Sequence, residues 1–271
     1  MSSPDIVVMY SGGLSSYEAA RRMIEKHGRE RVHLWFADTH TEDEDLYRFN
    51  KDVEKHLGVK IRVISQGVDI WGMFRKQKFL GNNRADTCSK FIKRVPLRKA
   101  LIEEYPDPES VIVVIGMDNI DDCNRIKRAS THWKPYTVEY PLTEGEPPFK
   151  QRIAERLRRE GIEPPRLYDL GFKHNNCGGF CIKAGLGHFA FLLETLPEVY
   201  AHHEQQEKEF REWIGKDVTI LKRRKKGDWK KHEKLTLEEL RLAIEGGEQF
   251  KRNWSSCMCM LPPEGKEPEW V

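Results

Sequence analysis

The strongest constraint on this chain lies near its start, where a short β-branched run, Ile6 to Tyr10, meets Gly12 and Gly13 and then the helically patterned Tyr17 to Lys26. A strand that enters a helix through paired glycines opens a βαβ unit. The glycines let backbone come close to an anion, and the amides opening the helix point at it with the helix dipole behind them. Ser11, Gly12, Gly13, Leu14, Ser15 and Ser16 are therefore the candidate phosphate site, with serines at both ends adding hydroxyl donors. An ordinary tight turn is the competing reading of two glycines alone. The Gly-Lys-Ser/Thr ending of the Walker loop is absent, and so is the spaced-glycine dinucleotide fingerprint.

The alternation continues. Val32 to Ala37 reads as a strand, Glu44 to His56 as an amphipathic helix and Lys60 to Ser65 as a third strand. Pro96 to Glu104 reads as a helix with Pro in its first turn, and Val111 to Gly116 is a fully apolar run of the kind buried in a parallel sheet. These features predict an α/β fold, a doubly wound, mostly parallel, Rossmann-like sheet. The prolines at 141, 147 and 148 mark a change of texture, followed by a charged helix from Phe149 to Arg159. The expected division is a nucleotide-binding domain over 1–140, a continuation over 141–185 carrying cysteines, and a smaller, mostly helical, basic region over 186–271. In that last region Phe189 to Leu196, Glu198 to Ile214 and Thr236 to Glu245 read as helices, with a short strand near Val218 to Leu221.

Among 271 residues, 38% are hydrophobic and 33% charged, with no apolar run near the length of a membrane span. The N-terminus has no signal-peptide pattern, so a cytoplasmic protein without membrane contact is expected. In that compartment the six cysteines are better read as thiols or metal ligands than as a disulfide framework.

The stretch Ser11 to Ser16 resembles the Ser-Gly-Gly-x-Asp-Ser signature of PP-loop ATP pyrophosphatases and the phosphoadenylylsulfate reductase family, with Ser15 standing where the family has Asp. Asp38 and Thr39, followed by the acidic run to Asp45, resemble the family's Asp-Thr element beside the adenosine. Gly116 to Arg128 is similar to a later glycine-then-arginine stretch, in which Arg125 or Arg128 would meet phosphate or sulfate oxygens. The resemblance thus implies an adenine nucleotide, ATP or adenylylsulfate, with Mg2+. It assigns Ser11, Ser16, Asp38, Arg125 and Arg128 to catalysis, and the loop with Asp38, Thr39 and Gly116 to nucleotide binding.

Cys88 to Ala100 resembles the reductase segment in which tandem cysteines precede a basic residue and Pro-Leu; Lys93, Pro96, Leu97 and Arg98 match, while Ser89 replaces the second cysteine. Arg166 to Phe172 and Cys177 to Cys181 resemble the segment that closes on a paired-cysteine motif. Soft thiolates on a glycine-bearing loop suit a metal. The expectation is a [4Fe-4S] cluster on Cys88, Cys177 and Cys181, with Cys257 or Cys259 as fourth ligand or one iron open. Zinc is the rival, and inert buried thiols are the plain alternative. His174, three residues before Cys177, is a candidate ligand or donor to one.

Eight of the thirteen residues from Lys222 to Lys234 are Lys or Arg, with Trp229 among them, and Lys251, Arg252 and Trp254 add a second basic-aromatic patch. Such runs track a phosphate backbone or simply solvate a loop; tRNA or DNA is the candidate partner. Three functions follow. One is adenylation with pyrophosphate release, coupled to iron-sulfur-dependent sulfur transfer to a nucleic acid from a sulfur donor. Another is reduction of adenylylsulfate to sulfite with a thioredoxin-like reductant, although the Glu-Cys-Gly-Leu-His ending of those reductases is absent. The third is a non-catalytic module binding nucleotide and nucleic acid.

Overall fold

The structure, a computed structural model, describes residues 3–251 apart from 83, 84, 86, 119–122, 146–148, 226 and 227, and apart from the side chains of Cys123, Asn124, Arg125 and Trp229. Chain order gives β1 (Asp5–Tyr10), α1 (Leu14–His27), β2 (Val32–Asp38), α2 (Glu44–Leu57), β3 (Ile61–Ser65), α3 (Ile70–Gln77), α4 (Val95–Glu104), β4 (Val111–Val114), α5 (Cys123–Trp133) and β5 (Thr137–Glu139). After these come α6 (Lys150–Arg159), α7 (Arg166–Asp169), α8 (Leu186–Thr195), α9 (Pro197–Ile214), β6 (Leu221–Lys225), β7 (Asp228–Leu235) and α10 (Leu237–Glu245).

Five parallel strands form one sheet in the order β3-β2-β1-β4-β5. β1 lies at the centre and pairs on both sides, Ile6 with Val32 of β2 and with Ile112 of β4. Because side chains alternate along a strand, its uniformly apolar residues serve two cores. Ile6, Val8 and Tyr10 pack with α1, α2 and α6, whereas Val7 and Met9 pack with Leu97 and Leu101 of α4 and Ala129 and Trp133 of α5. The direction of winding reverses between β1 and β4, and the crevice beyond the carboxyl ends of strands at such a reversal is where α/β sheets bind ligands.

A third core gathers α8, α9 and α10 with Ile70, Trp71 and Phe74 of α3, Leu167 of α7, and Phe180 and Cys181. The region after residue 186 is not helical throughout. Lys222 to Lys234, which follow the strand expected near Val218 to Leu221, form the two-stranded antiparallel hairpin β6-β7. Leu221 and Leu235 face each other at its base and enter the third core. No helix among the described residues is long and apolar enough to cross a membrane.

Candidate nucleotide and thiol site

The phosphate loop is braced from within. Gly12 has φ +73°, and a Cβ there would stand 2.7 Å from Leu46 Cδ1, so both backbone and space require glycine. The Ser16 hydroxyl donates to Gly13 O at 2.8 Å and accepts from the Ser11 amide at 3.1 Å and the Ser11 hydroxyl at 3.2 Å. Ser16 is buried by this arrangement, while Ser11 is exposed and Ser15 half-buried. The second glycine-bearing crossing presses on the loop: a Cβ on Gly116, just past β4, would lie 2.8 Å from Ser15 O. Gly116 therefore lets the segment after β4 meet the first turn of α1 backbone to backbone.

Two residues far along the chain reach this loop. Tyr168 of α7 accepts the Leu14 amide on its hydroxyl at 3.2 Å, and Asn175 Nδ2 donates to Gly12 O at 3.3 Å. Asn175 is 1% exposed and its Oδ1 has no hydrogen-bond partner among the described residues. α7 is held over the site by Arg166, whose guanidinium grips both oxygens of Asp43 at 2.8 Å and whose amide donates to Asp45 at 2.7 Å. Asp43 is the N-cap of α2 and is buried. A cavity of about 620 Å3 opens beside Leu14 and Asp118, walled by Tyr168, Lys150, Arg158 and Lys173; that is a size that suits a small-molecule ligand.

Asp38 ends β2. Its Oδ1 accepts the Tyr47 hydroxyl at 2.7 Å and the His40 amide at 2.9 Å. Burial and then the Asp38 hydrogen bond push the Tyr47 phenol well above its ordinary range, so it stays a donor. Thr39 turns into the wall: its hydroxyl donates to Glu42 Oε1 at 2.9 Å. Glu42, with a side chain 1% exposed, also pairs with Lys93 at 3.3 Å and accepts the Cys177 amide at 2.5 Å. Lys93 Nζ stands 4.0 Å from Cys177 Sγ, and an ammonium there favours the thiolate.

Cys177 has φ +51°, a strained conformation for a residue with a side chain, and Gly178 and Gly179 continue left-handed at +57° and +85°. A Cβ on Gly178 would stand 3.0 Å from Thr41 O, which ties this turn to the loop after β2. Cys88 opens a wide π-type turn over Ser89–Arg94, a departure from the α-helix often found at functional sites. Cys88, Cys177 and Cys181 then line one narrow cavity together with Thr39 and Lys93.

The sequence candidates are thus brought together in large part. Ser11 to Ser16 and Gly116 meet at the strand reversal; Asp38 and Thr39 lie at the end of β2; Cys88, Cys177 and Cys181 face one space. Arg128 is half-buried on α5. The Arg125 side chain and the residues Cys257, Cys259, Arg252 and Trp254 lie outside the described set. Among the described residues no group of three or more His, Cys, Asp or Glu side chains is placed to hold a metal ion. Cys88, Cys177 and Cys181 line one cavity with Lys93, and thiolates are the ligand type that soft metals prefer. His174 stacks on His188, ring centres 5.9 Å apart. Glu42 and Tyr168 lie inside segments that resemble the family, but neither they nor Asn175 stood out as site residues, because their contacts at the site reach across 135 residues or more.

The sequence model of the phosphoadenosine phosphosulfate reductase domain matches residues 5–177. An uncharacterized protein of Methanocaldococcus jannaschii is 27% identical over 225 residues, which are 79% of this chain and 45% of that protein, so the chain spans about half the length of this curated relative. Among solved structures, a phosphoadenylyl-sulfate reductase from Candida auris in a phosphate complex is 18% identical with a TM-score of 0.45, over 63% of this chain and 79% of that one. A predicted subunit of tRNA methyltransferase from M. jannaschii is 18% identical with a TM-score of 0.32, over 59% and 90%. An NH3-dependent NAD synthetase from Campylobacter jejuni in complex with nitrate is 16% identical with a TM-score of 0.35, over 82% and 91%.

Proposed function

The chain belongs to the phosphoadenosine phosphosulfate reductase domain family, and from that premise we propose that it is an ATP-binding enzyme that adenylates an oxygen of its substrate, releases pyrophosphate and couples the step to sulfur transfer onto a nucleic acid. The observation that carries this reading is the common wall of the phosphate loop and the thiols. Asn175 bonds the loop at Gly12, and two residues later Cys177 sits on Glu42 beside Lys93.

In this reaction an acceptor oxygen attacks the α-phosphorus of ATP and the bond to the β-phosphate breaks, so pyrophosphate leaves. A sulfur nucleophile from a separate donor then attacks the activated carbon, and AMP leaves with the oxygen. The amides from Gly13 to Ser16 and the α1 dipole offset charge on the departing pyrophosphate. By the family resemblance, Asp38, Thr39 and Gly116 would border the adenosine, and Arg125 and Arg128 would meet its phosphate oxygens. Mg2+, when bound, would screen the phosphates. Cys88, Cys177 and Cys181 would hold a [4Fe-4S] cluster, or zinc, with Cys257 or Cys259 as fourth ligand; a bound cluster would supply a site for sulfide.

Family membership favours a second reading. A cysteine thiolate attacks the sulfur of adenylylsulfate, AMP leaves, and a dithiol of thioredoxin type displaces sulfite from the resulting thiosulfonate while itself becoming a disulfide. Anaerobic protein tested with ATP and Mg2+, with and without tRNA or DNA, separates these. Pyrophosphate dependent on nucleic acid supports adenylation; sulfite from adenylylsulfate and thioredoxin supports reduction; neither product leaves a binding module. Absence of iron and acid-labile sulfide after anaerobic purification would sink the cluster.

A further inference from the structure

The hairpin β6-β7 is anchored at its base and basic on one face. Register pairs Leu221 with Leu235, Lys222 with Lys234, Arg223 with Glu233 and Arg224 with His232. Strand alternation therefore puts Leu221, Arg223, Glu233 and Leu235 on the inner face and Lys222, Arg224, His232 and Lys234 on the outer. The inner face is internally matched: Arg223 donates to Glu233 at 2.5 Å and pairs with Glu248 at 3.8 Å. On the outer face like charges stand directly opposite, Lys222 across from Lys234, an arrangement that destabilises an antiparallel pair. Lys222 and Arg224 are exposed and make no ion pair among the described residues, and Lys234 meets only Asp217, at 2.8 Å, at the edge.

A polyanion laid over this face would offset the charge of Lys222 and Arg224 and the repulsion between Lys222 and Lys234. Same-face residues recur about every 6.8 Å along a strand, a repeat commensurate with successive phosphates of a polynucleotide. We propose that the outer face of β6-β7, through Lys222, Arg224, His232 and Lys234, docks the phosphate backbone of a folded RNA. The choice of RNA over duplex DNA rests on the nucleic-acid thiolation reading above, because chemistry on a base needs one outside a continuous helix. The hairpin's rigid footing supports it: buried Glu207 of α9 accepts the amides of Ile220 at 2.9 Å and Leu237 at 2.6 Å, clamping both ends of the ribbon to the core that also contains Phe180 and Cys181.

The test is binding of a tRNA pool and of duplex DNA by the full chain, without ATP, across a salt series. Lys222→Glu/Arg224→Glu replaces the repulsion between Lys222 and Lys234 with an opposite-charge pair, so it is expected to fold at least as stably as the parent. It is expected to bind RNA at least tenfold more weakly, with a log-log salt slope lower by about 1.4, two backbone contacts at roughly 0.7 each. A charge-matched Lys51→Glu/Lys55→Glu variant on exposed positions of α2 should bind like the parent. Equal weakening by both pairs, or an unchanged affinity and slope in the hairpin variant, would overturn the proposal; so would tighter binding of duplex DNA than of RNA. Because no nucleotide is present, failure of pyrophosphate release leaves this result standing, and the reverse holds.

Discussion

Ser16 and Lys93 show how single side chains hold this site. The Ser16 hydroxyl makes three contacts inside the phosphate loop, each worth about 1 kcal/mol net. Ser16→Ala is accordingly expected to lower stability by about 1–3 kcal/mol in urea titration and to weaken ATP binding about tenfold by calorimetry. An affinity loss without a stability loss would mean that the hydroxyl serves the ligand rather than the loop. Lys93 neutralises Glu42 in a wall where that carboxylate is 1% exposed. Lys93→Ala leaves a buried charge uncompensated, at about 3 kcal/mol, and should slow iodoacetamide alkylation of Cys177 by removing the cation 4.0 Å from its sulfur. Glu42→Gln/Lys93→Met, which removes both charges, should recover much of the stability but not the alkylation rate. The residue-level signals legible in sequence were the glycines, whose role is set by their own backbone. Glu42 gave no such signal because its partners are Thr39, Lys93 and Cys177, and only the first is near in sequence.

At the scale of elements, α7 acts as a strap. Four residues long, it carries too little helix to be stable alone, and it is fixed by Arg166 on Asp43 and Asp45 and by Tyr168 on Leu14. Arg166→Ala is expected to lower overall stability by only about 1 kcal/mol, since the guanidinium is half exposed. It should nevertheless speed proteolysis between α6 and α8 severalfold and weaken nucleotide binding; unchanged cleavage kinetics would show that Tyr168 and Leu167 suffice to seat the strap. α1 begins at Leu14, three residues before its sequence pattern becomes helical, because Gly13 is its extended N-cap and the loop serines are its first turn. The hairpin was illegible for a different reason: Lys and Arg occupy both faces of β6, so no apolar alternation marks the strand.

The molecule as a whole buries titratable groups of opposite tendency. Burial, then Arg94 and Arg98, lowers His132 to about 3, and burial with His202 lowers His203 to about 3; burial raises Glu207 to about 7. Between pH 4.5 and 6.5 the unfolded chain takes up protons on both histidines that the folded chain refuses, while the folded chain keeps one on Glu207. Net uptake favours the unfolded state by at least one proton, and the lowered His188 and His27 add to it, so stability should rise with pH by about 1.4 kcal/mol per unit or more in this window. Above pH 6.5 the folded chain gives up the Glu207 proton and the rise ends. Below 4.5, Glu18 adds to acid lability, since Arg21 and Arg156 outweigh its burial and hold it at about 2. Urea melts from pH 4 to 8 check this; a maximum below pH 5 would contradict the buried neutral histidines, and His203→Phe should flatten the acid limb.

The strand-glycine-helix start, the order of alternating elements and hence the parallel sheet are legible along the chain, because side-chain periodicity and glycine sterics act over a few neighbouring residues. Motif order alone also placed the thiols at 88, 177 and 181 among the candidates. That Tyr168, 154 residues beyond Leu14, lies on the candidate phosphate loop, and that Cys177 rests on Glu42, 135 residues before it, follows from long-range packing alone. Those contacts arise where β1 and β4 reverse the winding and the segment after α6 folds back over the sheet's carboxyl edge. Nothing in the local pattern at either end of such a contact carries the position of the other.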